Sequence, residues 1–167
     1  MKTRILMMMA FCLVALSCNA QKIDNSTVKN LDLNRYVGEW YEIARFDHRF
    51  ERGLDHSKAT YVLCCDNRIN VVNTGEKDGK FKSSSGKAKT TDEPGRLRVS
   101  FFGPFYSDYR VMMLDPDYQY ALVGSKSAEY LWILSRTPKL ENSVKEAILA
   151  EATRRGYDVS KLIWVKQ

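Results

Sequence analysis

The side chains able to do chemistry are few and scattered. Four cysteines and two histidines occur in 167 residues. Cys64 and Cys65 are adjacent, His48 and His56 sit in one arginine-rich loop region, and Cys12 and Cys18 fall in the N-terminal region. Thiol chemistry needs a thiolate beside a base, or a second thiol at bonding geometry. Neighbouring Cα atoms lie about 3.8 Å apart, below the usual disulfide range of about 4.4–6.8 Å. Cys64 and Cys65 are therefore either free thiols at a strand end or a strained, redox-sensitive pair. Two cysteines and two distant histidines make a poor metal site, and no Ser-His-Asp or Cys-His grouping is recognisable. The expectation is a chain with no catalytic residue, no metal and no cofactor.

The elements around these residues are short and β-prone. Runs at 39–47, 57–64, 69–75, 81–91, 96–102, 107–114, 119–125 and 130–136 are separated by turn residues such as Asp66-Asn67, Pro94-Gly95 and Asp115-Pro116-Asp117. No connection is long enough for a crossover helix, so each strand runs antiparallel to the last. After Thr137-Pro138 the period changes: Leu140, Val144, Ala147, Ile148 and Ala152 recur at helical spacing, with Ser143 and Glu146 as a capping box and Gly156 as the stop. Leu162 to Val165 forms a final short strand. The fold class is all-β: an eight-stranded antiparallel up-and-down β-barrel with one C-terminal helix. Such a barrel holds side chains or one small ligand.

Residues 1–20 read as a secretory signal, with Lys2 and Arg4 before an apolar run from Ile5 to Leu16. Two cleavage readings compete. Ala15-Leu16-Ser17-Cys18 resembles a bacterial lipobox, which makes Cys18 a lipidated N-terminus and gives the protein a membrane anchor; the other is cleavage after Ala20. Residues 21–30 are polar and unpatterned, as in a flexible tether, and 31–167 form the domain. The net charge of +6 includes two leader charges, and the remaining basic residues are dispersed among acids. That argues against a nucleic-acid partner.

Gly38-Glu39-Trp40 opening the first strand, and Arg136 closing the last, resemble the two most distinctive marks of the lipocalin family. The stretches "GEWYEIARFDHRFERGL", "VSFFGPFY", "DYQYALVGS", "YLWILSRTP" and "GYDVSKLIWV" extend the resemblance over nearly all of the mature chain, closest to the bacterial outer-membrane lipocalins and their apolipoprotein-D-like relatives. Asp115-Pro116-Asp117-Tyr118 departs from the family's usual T-D-Y turn. The resemblance implies that Trp40 plugs the closed end with Arg136 over its indole, while Gly38 starts the motif. It also sets the loop carrying Phe46, His48, Arg49, Phe50 and Arg52 at the open end, where its apolar groups cover an entrance and Arg45, His48, Arg49 and Arg52 greet an anionic head group. The alternative is that these side chains are solvated or pack locally.

The resemblance, checked against period-two alternation, implies an inward set: Ala44 from the first strand, Ala59 and Tyr61 from the second, Val71 and Asn73 from the third, and Ala88 from the fourth. Val99, Phe101, Arg110 and Met112 follow, then Ala121, Val123, Tyr130 and Trp132. Trp40 inward also places Glu42 inward. Glu42 and Arg110 then need partners: each other, Tyr61 or Asn73, or the ligand's head group; a purely structural network is the alternative. The leading function is binding, storage or transport of lipophilic ligands, fatty acids or lysophospholipids, in the bacterial cell envelope. The rival is an enzyme on the same scaffold acting on a bound lipid. A homodimer through the aromatics of Phe101–Tyr106 is a third reading.

Overall fold

The computed structural model describes residues 22–64 and 68–167. The expected signal peptide, Cys18 with its lipidation, and Cys65 lie outside the described residues. The alternating runs become β1 (Gly38–Phe46), β2 (Asp55–Leu63), β3 (Arg68–Lys77), β4 (Lys80–Thr90), β5 (Arg96–Phe102), β6 (Phe105–Leu114), β7 (Tyr120–Gly124) and β8 (Leu131–Ser135). Each strand pairs antiparallel with the next, and β1 pairs with both β8 and β2, which closes an up-and-down barrel of eight strands.

The seam between β1 and β2 closes in two stretches. Gly38–Tyr41 pairs directly with Lys58–Tyr61. Farther along, β9 (Leu162–Trp164) pairs with Ala44–Phe46, and the chain end fills what remains. The Val165 N–H donates to Ile43 O at 3.0 Å, the His56 N–H to Lys166 O at 2.6 Å, and Gln167 Nε2 reaches the carbonyls of Glu42 and Ser57 at 2.6 and 3.1 Å. The final strand is thus part of the barrel wall.

The C-terminal helix, α2 (Asn142–Arg154), lies outside the barrel and packs Ile148 and Ala152 with Leu122, Leu131 and Ile133. Ala147, expected on the buried face, is exposed, and Leu149 joins the contact. The expected capping box does not form. The helix starts at Asn142, so Ser143 is already inside it, and the N-cap residue Glu141 makes no side-chain bond. The end follows expectation: Gly156 adopts φ 88°, and the Tyr157 N–H returns to Ala152 O at 3.0 Å.

Residues 22–30, expected to be a flexible tether, lie along the barrel. The Asp24 N–H donates to Arg155 O at 2.8 Å and the Val28 N–H to Val111 O at 2.9 Å. Arg155 is buried and donates to the carbonyls of Ser26 and Met112, both at 2.8 Å. Backbone bonds and one buried guanidinium hold this strap, so it needs no apolar period to be ordered. A short helix not foreseen from the sequence, α1 (Leu33–Tyr36), follows it, capped by Asp32 accepting from the Asn34 N–H.

Candidate functional site: the barrel lumen

The floor is built around Trp40, which is fully buried. Its indole N–H donates to Tyr36 O at 2.8 Å, and the Arg136 guanidinium lies 3.8 Å from the ring centroid. Arg136 also donates to the carbonyls of Arg35, Tyr36, Val37 and Glu39 at 2.7–3.0 Å. A short helix leaves its last carbonyls without intrahelical partners, and this arginine supplies them. Gly38 has φ 99°, and a Cβ there would sit 3.3 Å from Arg136 Nη1. That explains why a glycine precedes the tryptophan by two residues. The Asp115-Pro116-Asp117-Tyr118 turn belongs to this floor: Arg35 stacks on Tyr118 at 4.2 Å and donates to Pro116 O at 2.9 Å.

The walls separate into an inner and an outer apolar cluster. Ala59, Tyr61, Val71, Ala88, Ala121 and Val123 lie in the inner cluster with Trp40, and Val99, Phe101 and Trp132 pack against it. Asn73 faces the same way, opposite Ala59. Three expected inward residues are elsewhere. Ala44 is in the outer cluster, because a bulge between Glu42 and Ala44 reverses the alternation and puts Arg45 opposite Trp132. Met112 also points outward, accepting a bond from the Tyr157 hydroxyl at 3.5 Å. Arg110, on the same strand, is one residue out of phase with the inward Tyr109 and Val111. It pairs with Glu93 and Asp108 at 3.0 and 3.1 Å and donates to Asn25 O, which fixes the strap instead of a ligand.

Glu42 does face inward, and its partner is Arg45, at 2.6 Å. In a regular strand residues three apart face opposite sides; the bulge brings these two together. Arg45 also donates to the carbonyls of Glu51 and Leu54 at 2.7 and 2.9 Å, which pulls the loop 47–54 over the barrel end. Glu51 follows it in: the Trp132 indole donates to its carboxylate at 3.0 Å, and His48 Nε2 lies 2.8 Å from the same oxygen. His48 further packs on Tyr130 and Trp132, whose rings stack 5.8 Å apart. The remaining loop residues divide differently from expectation. Phe46 turns outward onto Tyr157, so it does not cover the mouth. Arg52 is exposed and paired with Asp47 at 2.8 Å, and Arg49 lies over the exposed Phe50. Sequence reading missed Arg45 as a lumen residue and Glu51 altogether; the signal for both was a base at the end of β1 and an acid on the loop that follows it.

Ser57 Oγ, Asn73 Oδ1 and Arg45 Nε are buried with no hydrogen-bond partner among the described residues. Buried polar atoms normally have one. They lie on strands that meet at this end of the barrel, where Ser57 Oγ approaches Gly75 beside Leu54. The two histidines are far apart in environment, with His48 inside and His56 exposed on β2. Cys64 is a free, half-buried thiol.

Burial, reinforced by repulsion from Glu51, outweighs the Arg45 guanidinium and raises the Glu42 carboxyl to about 8. Burial also pushes Glu51 up, but the nearby His48 ring and the Trp132 hydrogen bond overcome it and leave that carboxyl below its ordinary value. A carboxyl raised on folding stabilises fully below its unfolded value near 4.5, and that contribution is lost as pH rises through about 8. Over this window Glu42 should therefore make unfolding easier with rising pH, by at most about 1.4 kcal/mol per pH unit. Urea midpoints from pH 5 to 9 should show this slope in the wild type and a flatter one in Glu42→Gln. Identical slopes would place the titration elsewhere.

The comparisons with known proteins agree with this architecture. The outer membrane lipoprotein Blc of Escherichia coli (strain K12) is 52% identical over 162 residues, covering 95% of this chain and 92% of that protein. Temperature-induced lipocalin-1 of Arabidopsis thaliana is 40% identical over 154 residues, covering 85% and 82%. Mouse (Mus musculus) apolipoprotein D is 32% identical over 150 residues, covering 83% and 78%. Insecticyanin from the tobacco hornworm Manduca sexta shares the fold, with a TM-score of 0.72 at 22% identity over 86% of this chain and 85% of that one. The family model described as "Lipocalin-like domain" matches residues 31–167, and the chain belongs to the lipocalin family, with the lipophilic-ligand binding that goes with it.

Proposed function

We propose that this lipocalin is a non-enzymatic carrier of fatty acids or lysophospholipids in the bacterial envelope, held at the outer membrane by a lipidated Cys18. The observation that carries the reading is the inner face of the closed barrel. Its wall is apolar and in places small (Ala59, Ala88, Ala121), Trp40 stops one end, and partnerless polar atoms lie at the other. An acyl chain suits the wall, and a head group suits the polar end. Each buried methylene is worth about 0.8 kcal/mol, so a chain with ten of them inside gains on the order of 8 kcal/mol before association costs.

The names of the Escherichia coli, Citrobacter freundii and Vibrio cholerae relatives, all outer membrane lipoproteins, support the location, and Cys18 stands where a lipobox places its cysteine. Exposed Phe102 and Phe105 support self-association as a further part of this reading. The test is fluorescence displacement by palmitate and by lysophosphatidylethanolamine, with the lipid then extracted and weighed by mass spectrometry. Saturable displacement and intact lipid are expected. Chemically altered lipid would favour an enzyme, and no displacement by either lipid would overturn the carrier reading.

A further inference from the structure

Three tyrosines from three separate elements meet in the inner cluster: Tyr36 of α1, Tyr61 of β2 and Tyr109 of β6. The Tyr109 hydroxyl oxygen lies 2.6 Å from that of Tyr36 and 3.0 Å from that of Tyr61. Tyr36 and Tyr61 are almost fully buried, and their rings pack 5.8 Å apart beside Trp40. No further hydrogen bond of these hydroxyls is present among the described residues.

A hydroxyl carries one proton to donate. Three hydroxyls joined by two bonds use two of their three protons. If Tyr109 accepts from both neighbours, its own proton is unused; if it donates to one, that neighbour's proton is unused. Every arrangement leaves one buried O–H with no acceptor among the described residues. Ionisation does not remove it, because burial raises all three tyrosines above their ordinary value.

The surrounding charges decide what can accept this proton. Among the described residues, the one cation acting on the cluster is Arg136, which faces Tyr36 and whose guanidinium is already engaged by the floor carbonyls. The carboxylate of Glu51, held below its ordinary value, acts on Tyr61 from the other end of the barrel. An ionised carboxylate here would meet that negative field with no free cation among the described residues to offset it, and a buried unpaired charge is far more costly than a neutral dipole. A single O–H donor matches a single neutral oxygen.

Building on the carrier reading, we infer that the tyrosine cluster is a floor subsite for a neutral oxygen acceptor, a carbonyl or hydroxyl oxygen, on the part of a lipid that reaches the bottom of the barrel. The ligand class is then an oxygenated lipid. A plain saturated tail leaves the donor unused.

The test compares 2-undecanone with undecanoate, matched in carbon number, by displacement of N-phenyl-1-naphthylamine from the wild type, Tyr109→Phe, and the triple variant Tyr36→Phe, Tyr61→Phe, Tyr109→Phe. The triple variant removes every member of the network and so strands no polar group. It should bind 2-undecanone about tenfold more weakly than the wild type, as for one lost hydrogen bond, with undecanoate unchanged. Tyr109→Phe frees two donors and should keep its ketone affinity, which a merely structural network would not. Equal loss for both ligands in the triple variant, or no loss for the ketone, overturns the subsite while the carrier reading stands. Failure of both ligands to displace the probe from the wild type overturns the two together.

Discussion

Trp40→Ala should lower the unfolding free energy by about 3–5 kcal/mol, the cost of truncating a buried aromatic side chain. The indole is fully buried, so its loss opens a cavity between α1 and the inner cluster. Its N–H bond to Tyr36 O goes as well, and so does the face on which Arg136 stacks. That stack contributes about 0.5–2 kcal/mol by itself. Since small domains are stable by only about 5–15 kcal/mol, the variant should keep well under the wild-type urea midpoint while folding to the same far-UV signal. A loss under about 1 kcal/mol would show that the floor collapses around the missing ring and is no stopper. Arg136→Lys separates the two roles of the cation: it keeps a charge near the ring but cannot reach four carbonyls at once, and so should fall between wild type and Trp40→Ala.

How far the sequence carries this picture differs from element to element. Strand order, closure and the outside helix were readable because turn residues punctuate the chain and because β8 is apolar on both faces: Trp132 and Leu134 look inward, Leu131 and Ile133 toward α2. Facing was readable only where alternation is unbroken. On β1 the bulge after Glu42 exchanges Ala44 for Arg45, and no residue type in Glu42-Ile43-Ala44-Arg45 announces it. On β6, Val111, Met112 and Met113 are apolar without a period, so a shift of one residue sends Arg110 and Met112 to the wrong side, as it must when the side-chain repeat is two. The strap 22–30 was unreadable for another reason: backbone bonds to Arg155 and Val111, the Arg155 guanidinium and the isolated contacts of Ile23 and Val28 hold it, and these leave no period in side-chain type.

The same bulge sets up the second large effect. At pH 9, where the Glu42 carboxyl is ionised, Arg45→Met should destabilise the fold by about 3–5 kcal/mol, the usual result of removing one partner from a buried ion pair. The loss has two parts. The carbonyls of Glu51 and Leu54 lose their donor, which releases the loop over the barrel end, and Glu42 loses the cation that holds its carboxyl down. Without that cation the Glu42 carboxyl must rise further above 8, so the variant goes on losing stability with pH after the wild type has levelled off. The defect should therefore be larger at pH 9 than at pH 6. Adding Glu42→Leu should restore part of the loss, because no charge is then stranded, and should erase the growth with pH. The remainder that is not restored measures what the guanidinium does for the loop alone. If the double variant is as unstable as the sum of the two single ones, the pair is not coupled, and Arg45 acts only as a clasp for residues 47–54.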